Sequence, residues 1–539
     1  MKGDPKPTYR LVVADGLHSV GWEELHAATD IEVVGPLGCQ EEFIGALADA
    51  DGLLICSETK VDASLLAAAP RLKVVARAGA RLDNVDIDQA TRRGILVIHV
   101  PDANLTAMVE YVFLLMLALA RNWGRQAGDE GQFGFQLKQK NLGIIGFGKQ
   151  GRQVAERAQA FGMHVLAYDP YIDLSFARQR GVEIVDLPEL LARADLVTLH
   201  TAYTQQTHQL INRETLAQMK PGGYLINCIY PGLMDAGAVL SALENGKLAG
   251  VALDNWDIRA TPSYQALQDH PRTLRPHLGR SPGSTMDVQM ASQHTLEAQS
   301  ETARRVVSDL LAALRAQDFR HIVNLPFNDQ IPYQRAKPFI DLAVKLGKLQ
   351  GQLAEGWIQR VEVELLGEGL RELVRPVAAV LLSGMIRPVD ERPVNWVSAP
   401  VMAYEQGIVT AQVKELVARS DHPAMIACRI YWQDGFRTVA GALYGNGEVR
   451  LVQYNDYEID AYPDGWVLIL ENTDLPGVIG KVGTLLGRAG INIAQWRYGR
   501  DYSNGRGVSF INLDGDVPLS ILSELENEAE IERARLVRL

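Results

Sequence analysis

The sequence predicts a multi-domain α/β protein: two doubly wound parallel-sheet domains, then an α+β segment, then a compact βαββαβ segment. Three observations point there. Two stretches, the first hundred residues and residues 142–277, alternate short Val/Ile/Leu-rich runs with helix-patterned spacing, the rhythm of parallel strands joined by crossover helices. A glycine-rich turn, Gly146-Phe147-Gly148-Lys149-Gln150-Gly151, joins an apolar run to a helical pattern. The final segments GWVLILEN, GVIGKVGTLLGRAG, INIAQWRYGR, GVSFINLDG, PLSILSELENE and IERARLVRL read strand, helix, strand, strand, helix, strand, a ferredoxin-like order.

The elements follow in order. LVVA (11–14), IEVV (31–34), GLLIC (52–56) and LKVVARAG (72–79) supply the first strands. A helix over 104–121 is apolar nearly all round, so burial is expected, with Asp102 or Asn104 as its cap. A polar stretch, 124–136, precedes the second βαβ series. A helix near 287–317 closes this part, and PFNDQIPYQRAKP (326–338), with three prolines, reads as a linker. Residues 339–460 mix helix and strand without a catalytic signature. The expected domains are 1–101 with 291–325, then 102–290, 330–462 and 463–539.

Composition narrows the function. Of 539 residues, 47% are hydrophobic and 22% charged, ordinary for a soluble globular protein. The net charge of −12 disfavours nucleic acid and anionic membranes as partners, since both need clustered positive charge. Cys39, Cys56, Cys228 and Cys428 are scattered, arguing against a disulfide framework and against a metal site. The N-terminal stretch lacks an apolar signal core, and a cytoplasmic location is expected.

The glycine-rich turn carries the strongest chemical signal. Gly146 permits a tight turn, Gly148 lets the backbone approach a pyrophosphate, and Gly151 lets helix and strand pack closely. The helix N-terminus offers free N–H groups to the phosphates. Asp169 ends the next strand, about twenty residues on, where a carboxylate accepts from the adenosine ribose hydroxyls and repels a 2′-phosphate. NAD is the expected cofactor.

Residues 73–101, 143–171, 195–212, 219–228, 250–254 and 276–279 together resemble the D-2-hydroxyacid dehydrogenases. With 445–461 resembling an intervening, allosteric-substrate-binding domain and 474–494 an ACT regulatory domain, the chain is similar to the long form of the D-3-phosphoglycerate dehydrogenase family. The resemblance implies further cofactor contacts. Lys149 and Gln150 would offer backbone N–H groups, Thr201 would lie under the adenosine, and Cys228, Ile229 and Tyr230 would line the nicotinamide side. Asp254 would accept from the carboxamide, and Gly279 would follow the catalytic loop at His277. It also implies substrate contacts at Arg77, Lys60 and Asn104, effector contacts at Asn472 and Asn492, and a homodimer or homotetramer.

The resemblance breaks at the chemistry. The family's acid/base histidine is present as His277. Its carboxylate-gripping arginine position holds Tyr230, and its histidine-orienting glutamate position holds Arg259. A glycine of the carboxylate turn is Arg81, and a phosphate-contacting arginine is Cys56. An imidazole that loses its carboxylate partner loses support for its protonated form, and losing the arginine removes a bidentate grip. Two accounts stay open: drift, with Arg81 and Arg259 facing solvent, or a repurposed pocket using them with Tyr230. Three functions follow: an NAD-dependent oxidoreductase on a small anionic 2-hydroxy or 2-oxo acid shifted from 3-phosphoglycerate; a catalytically silent NAD-binding regulator; or an enzyme with tightly held NAD and no net redox change.

Overall fold

The computed structural model describes residues 8–37, 40–123, 133–172, 179–254, 261–274, 295–325, 332–367, 370–388, 392–417, 422, 424–445, 447–501 and 505–539. The chain divides into two compact units: residues 1–100 with 303–539, and residues 101–302.

In the first unit, β1 (Tyr9–Val13), β2 (Ile31–Val34), β3 (Gly52–Ile55), β4 (Val74–Arg77) and β5 (Leu96–His99) form a parallel sheet of order β2-β1-β3-β4-β5. β3 and β4 are buried at every position, as expected of strands covered on both faces. The strand order reverses between β1 and β3, which opens a crevice beyond their C-terminal ends.

The second unit is a seven-stranded parallel sheet. Its strands are β6 (Asn141–Ile145), β7 (His164–Tyr168), β8 (Glu183–Ile184), β9 (Leu196–Leu199), β10 (Gly223–Asn227), β11 (Leu248–Leu253) and β12 (Thr273–Leu274), in the order β12-β11-β10-β9-β6-β7-β8. β6 pairs with both β7 and β9, so the switch point lies directly above Gly146. Each face has its own core. One gathers Val112 and Met116 with Val154 and Ala158; the other gathers Leu190, Leu216, Val239 and Leu243. That is the doubly wound arrangement the sequence predicts.

The remainder of the first unit holds two sheets. One is mixed and six-stranded, β14-β13-β15-β16-β17-β18, from β13 (Arg360–Leu366), β14 (Val409–Gln412), β15 (Met425–Trp432), β16 (Gly435–Leu443), β17 (Val449–Tyr454) and β18 (Tyr457–Ala461). The other is antiparallel, from β19 (Trp466–Thr473), β20 (Ile493–Asp501), β21 (Arg506–Leu513) and β22 (Ile531–Arg538). Its order β20-β21-β19-β22, with helices Val478–Arg488 and Leu519–Glu526 in the crossovers, is ferredoxin-like as predicted.

Three local expectations are corrected. The three-proline segment does not run as linker to 338: a helix spans Tyr333–Leu353 with Pro338 inside it and Pro332 at its N-cap. The apolar face of that helix, from Ala336 through Ile340 to Leu353, is buried in the core of the mixed-sheet domain, and this burial outweighs the backbone hydrogen bond that proline forgoes. The apolar helix is Leu105–Ala120; Asn104 sits at its N-cap but makes no side-chain cap bond. Asp102 instead pairs with Lys149. That helix is not buried all round, because Leu114 and Leu117 are exposed beside Glu110.

Candidate functional site

The switch point of the second sheet is built from backbone. Gly146 follows β6 with φ +93°, a conformation that favours glycine. A Cβ there would lie 2.6 Å from His200 O and Thr201 N, so the turn after β6 rests against the chain after β9. Gly151 sits one helical turn further, where a Cβ would stand 2.2 Å from Gly146 O. Gly148 differs: it caps the helix Lys149–Ala160 with φ −68° and no side-chain cap, and its Cβ would point into open space. Uncapped first-turn N–H groups facing a void are what an anionic phosphate needs.

Asp169 closes the cradle. Its Oδ2 accepts from the Phe147 N–H at 2.9 Å and its Oδ1 from the Tyr171 N–H at 3.0 Å. The carboxylate is thereby held at the end of β7 and stays partly exposed, ready to accept from sugar hydroxyls. Lys149 is exposed and its ammonium pairs with Asp102. The Gln150 side-chain amide is buried with its Nε2 unpartnered among the described residues. Burial lowers the His200 imidazole to about 3, so His200 is neutral at ordinary pH and bonds Thr198 Oγ1 through Nε2 at 2.9 Å. It is a structural group beneath Thr201. These residues fit a dinucleotide: a void at a helix N-terminus for its phosphates and an acid for its ribose.

The other end of this crevice lies beyond β10 and β11. Cys228 is buried, and desolvation followed by the nearby Asp254 carboxylate pushes its thiol well up; it is no nucleophile. Asn227 holds the loop, accepting from the Ile229 N–H at 3.1 Å and donating to Tyr230 O at 2.8 Å. The Tyr230 ring lies on Tyr203, centroids 4.3 Å apart, and both rings cover Gly232. Asp254 is buried at the end of β11. Asn104 is buried with Oδ1 unpartnered among the described residues.

In the first unit three of the predicted substrate residues, Lys60, Arg77 and Arg81, lie in the chain at and beyond the C-terminal ends of β3 and β4. Arg77 is buried at the end of β4, its Nη1 donating to Ala78 O at 3.3 Å while its Nε has no partner among the described residues. Burial pulls its pKa down, yet at that starting value the guanidinium stays charged. Gly79, at φ +140°, leaves room for this group: a Cβ would lie 1.9 Å from Arg77 Nη1. Arg81 makes a two-point bridge to Asp83, at 3.2 and 2.8 Å. Lys60 is exposed. Cys56 is fastened: its N–H donates to Asp15 Oδ2 at 2.5 Å and its Sγ to Gly16 O at 3.2 Å. Burial and Asp15 push its thiol to about 12.

His277, Arg259 and Gly279 lie outside the described residues. Sequence reasoning missed Asp15 and Tyr203. Asp15 directly follows the first strand, where an acid in a parallel-sheet protein is a signal that could have found it; a tyrosine in an exposed loop carries no such signal. In the C-terminal sheet, Asn472 is buried and donates to Tyr498 Oη at 3.1 Å, while exposed Asn492 donates to Asp514 Oδ2 at 2.6 Å. The two asparagines thus have separate partners.

Comparison with known proteins decides the family. Residues 113–279 match the NAD binding domain of D-isomer specific 2-hydroxyacid dehydrogenases, and residues 335–455 match the D-3-phosphoglycerate dehydrogenase intervening domain. A D-3-phosphoglycerate dehydrogenase of Synechocystis is 34% identical over 98% of this chain and 95% of its own. The chain belongs to the D-3-phosphoglycerate dehydrogenase family. Another relative of that name, from Methanocaldococcus jannaschii, is 33% identical over 98% of this chain and all of its own. A glyoxylate reductase from Paecilomyes thermophila superposes with a TM-score of 0.50 at 26% identity, covering 59% of this chain and 98% of that one. The cradle at Gly146–Gly151 lies within the matched NAD binding domain, and the cofactor is NAD. No helix among the described residues is long and apolar enough to cross a membrane.

Proposed function

We propose that this family member is an NAD-dependent oxidoreductase acting on a small anionic 2-hydroxy or 2-oxo acid that carries no phosphate. One observation carries the shift from 3-phosphoglycerate. Cys56, where the family places a phosphate-contacting arginine, is a neutral thiol fastened to Gly16 O and locked beside the carboxylate of Asp15. A neutral thiol gives a dianionic phosphate no charged grip, and the carboxylate beside it repels one. The Arg77 guanidinium, buried with its Nε unpartnered among the described residues, supports retention of one anionic anchor for a carboxylate.

NAD, when bound, supplies the carbon that gives or takes the hydride. Gly148 and the first turn of the helix after it hold the pyrophosphate, Asp169 the ribose, and Asp254 the carboxamide. His277 exchanges the proton of the substrate's 2-oxygen, and Arg259 and Tyr230 take the places of the family's glutamate and arginine. Tyr230, packed on Tyr203, favours one alternative, a silent NAD-binding paralogue. The C-terminal sheet is proposed as an ACT regulatory domain, with Asn472 and Asn492 as effector contacts in a homo-oligomer.

The test follows absorbance at 340 nm over a panel of 2-hydroxy and 2-oxo acids with and without a phosphate ester. Turnover is expected on an unphosphorylated acid, faster than on 3-phosphoglycerate and abolished by His277→Ala. Silence across the panel with NAD bound would establish the paralogue, and preference for 3-phosphoglycerate would remove the shift.

A further inference from the structure

The helix Lys149–Ala160 begins with a cation. Its N-terminus follows Gly148 and carries no side-chain cap, and the N-terminus of a helix is partially positive. A lysine at the first helical position therefore stands against the helix dipole and beside the open space at Gly148. Its ammonium pairs with Asp102, 47 positions earlier in the chain. Asp102 is the second residue of the second unit and lies two positions before Asn104, the N-cap of the helix Leu105–Ala120. The bond from Asp102 goes to the lysine side chain, not to the helix backbone.

This pair sets one negative charge beside the seat of another. A helical side chain leans towards the helix N-terminus, and the lysine stem is long and flexible. The ammonium of the residue that follows Gly148 can therefore reach either the Asp102 carboxylate or a phosphate at the cradle. The lysine side chain is 71% exposed and that of Asp102 25%. An exposed ion pair of this kind adds little to stability, so its partners separate readily. A lysine that bonds a carboxylate has less of its charge to give a phosphate, and the carboxylate itself repels the incoming anion.

We propose that Asp102 competes with the cofactor for Lys149: the ammonium passes from the Asp102 carboxylate to the pyrophosphate when NAD binds, and returns when NAD leaves. The inference rests on the pyrophosphate lying at Gly148 and deepens that reading by giving the seat a side-chain cation and a rival for it. Lys149 touches the cofactor, whereas Asp102 is a positioning residue that acts through Lys149. The rival anion makes the bound dinucleotide looser and its departure faster. In an enzyme whose turnover waits on nucleotide release, that raises the rate.

The test uses the full chain and two ligands, NAD and adenosine, the second of which lacks the pyrophosphate. Titration calorimetry at low and high salt reads both affinities, and stopped-flow displacement reads the release of NAD. Asp102→Asn keeps the shape of the side chain and removes its charge. It should bind NAD about threefold more tightly at low salt, chiefly through slower release, with a smaller gain at high salt. Its adenosine affinity and melting temperature should match wild type. Lys149→Met should bind NAD about threefold more weakly, and the double variant should lack the gain of Asp102→Asn, because the cation to be freed is gone. NAD binding by Asp102→Asn that is unchanged or weaker would overturn the proposal. So would an equal gain for adenosine, or a double variant that binds as tightly as Asp102→Asn. Wild type binding adenosine as tightly as NAD would instead remove the pyrophosphate seat at Gly148.

Discussion

The two parallel sheets each open a crevice where their strand order reverses, and they fill it differently. At β6/β9 the walls are glycine backbone: Gly146 against His200 and Thr201, Gly151 against Gly146, and a void above Gly148. At β1/β3 the crevice is tied by side chains. Buried Asp15 accepts from the Cys56 N–H at 2.5 Å, the Thr59 N–H at 3.3 Å and the Thr59 hydroxyl at 2.5 Å, and Asn84 donates to Cys56 O and Thr59 O at 2.8 and 2.7 Å. The first design presents N–H groups and absent Cβ atoms, which carry no side-chain identity to vary. The second depends on side-chain identity. Substitutions such as those at Cys56 and Arg81 therefore alter the β1/β3 crevice without touching the backbone that builds the β6/β9 crevice.

Two glycines probe the backbone-built crevice most severely. Gly151→Ala forces a Cβ to within 2.2 Å of a carbonyl oxygen in the same cradle, and overpacking costs about 1–3 kcal/mol. A lower melting temperature and loss of NAD binding are expected together. Gly148→Ala, with open space around it and an ordinary φ, should melt as wild type does, yet its methyl fills the pyrophosphate space and should weaken NAD at least about tenfold. If Gly148→Ala bound NAD normally, the void would not be the phosphate seat.

Asp15→Ala tests the side-chain-built crevice. It leaves buried donors on Cys56 and Thr59 unsatisfied, each worth about 1–3 kcal/mol, and denaturant unfolding should register a loss of that order. NAD affinity should not change. A simultaneous fall in NAD affinity would break the division between the two crevices.

The smallest effect is expected at Asp169. Asp169→Asn keeps an oxygen for the Phe147 N–H but removes the charge. NAD should bind about tenfold more weakly, as for a lost charged hydrogen bond, and the preference over NADP should narrow because a 2′-phosphate is no longer repelled. An unchanged preference, measured by competitive titration of the two nucleotides, would assign the discrimination to another group.

Much of this architecture was legible in the order of residues alone. The βαβ rhythm, the run from Gly146 to Gly151 and the acid at Asp169 are local signals. Each depends on backbone geometry over a few residues, on a strand's period, or on a spacing set by one helix and one strand. The ferredoxin-like tail was legible for the same reason. Prolines misled at 338, where the sequence pattern suggested a linker and burial of Ile340, Leu342 and Leu346 in the mixed-sheet core makes a helix. The helix at Leu105–Ala120 was placed within one residue at each end, but its cap was not, because Asp102 is drawn to Lys149, 47 positions away.

What the sequence by itself determined is the set of parallel sheets, the glycine-built turn after β6 and the identity of the residues at Cys56, Arg81 and Tyr230. What only the tertiary structure decided is what those side chains do: Cys56 fastened by Asp15 and Gly16, Arg81 bridged to Asp83, and Tyr230 laid on Tyr203. The physical reason is range. Backbone conformation follows from neighbours along the chain, whereas the partner of a charged or polar side chain is whichever group folding brings within about 3 Å, and for these residues most partners come from elsewhere in the sequence.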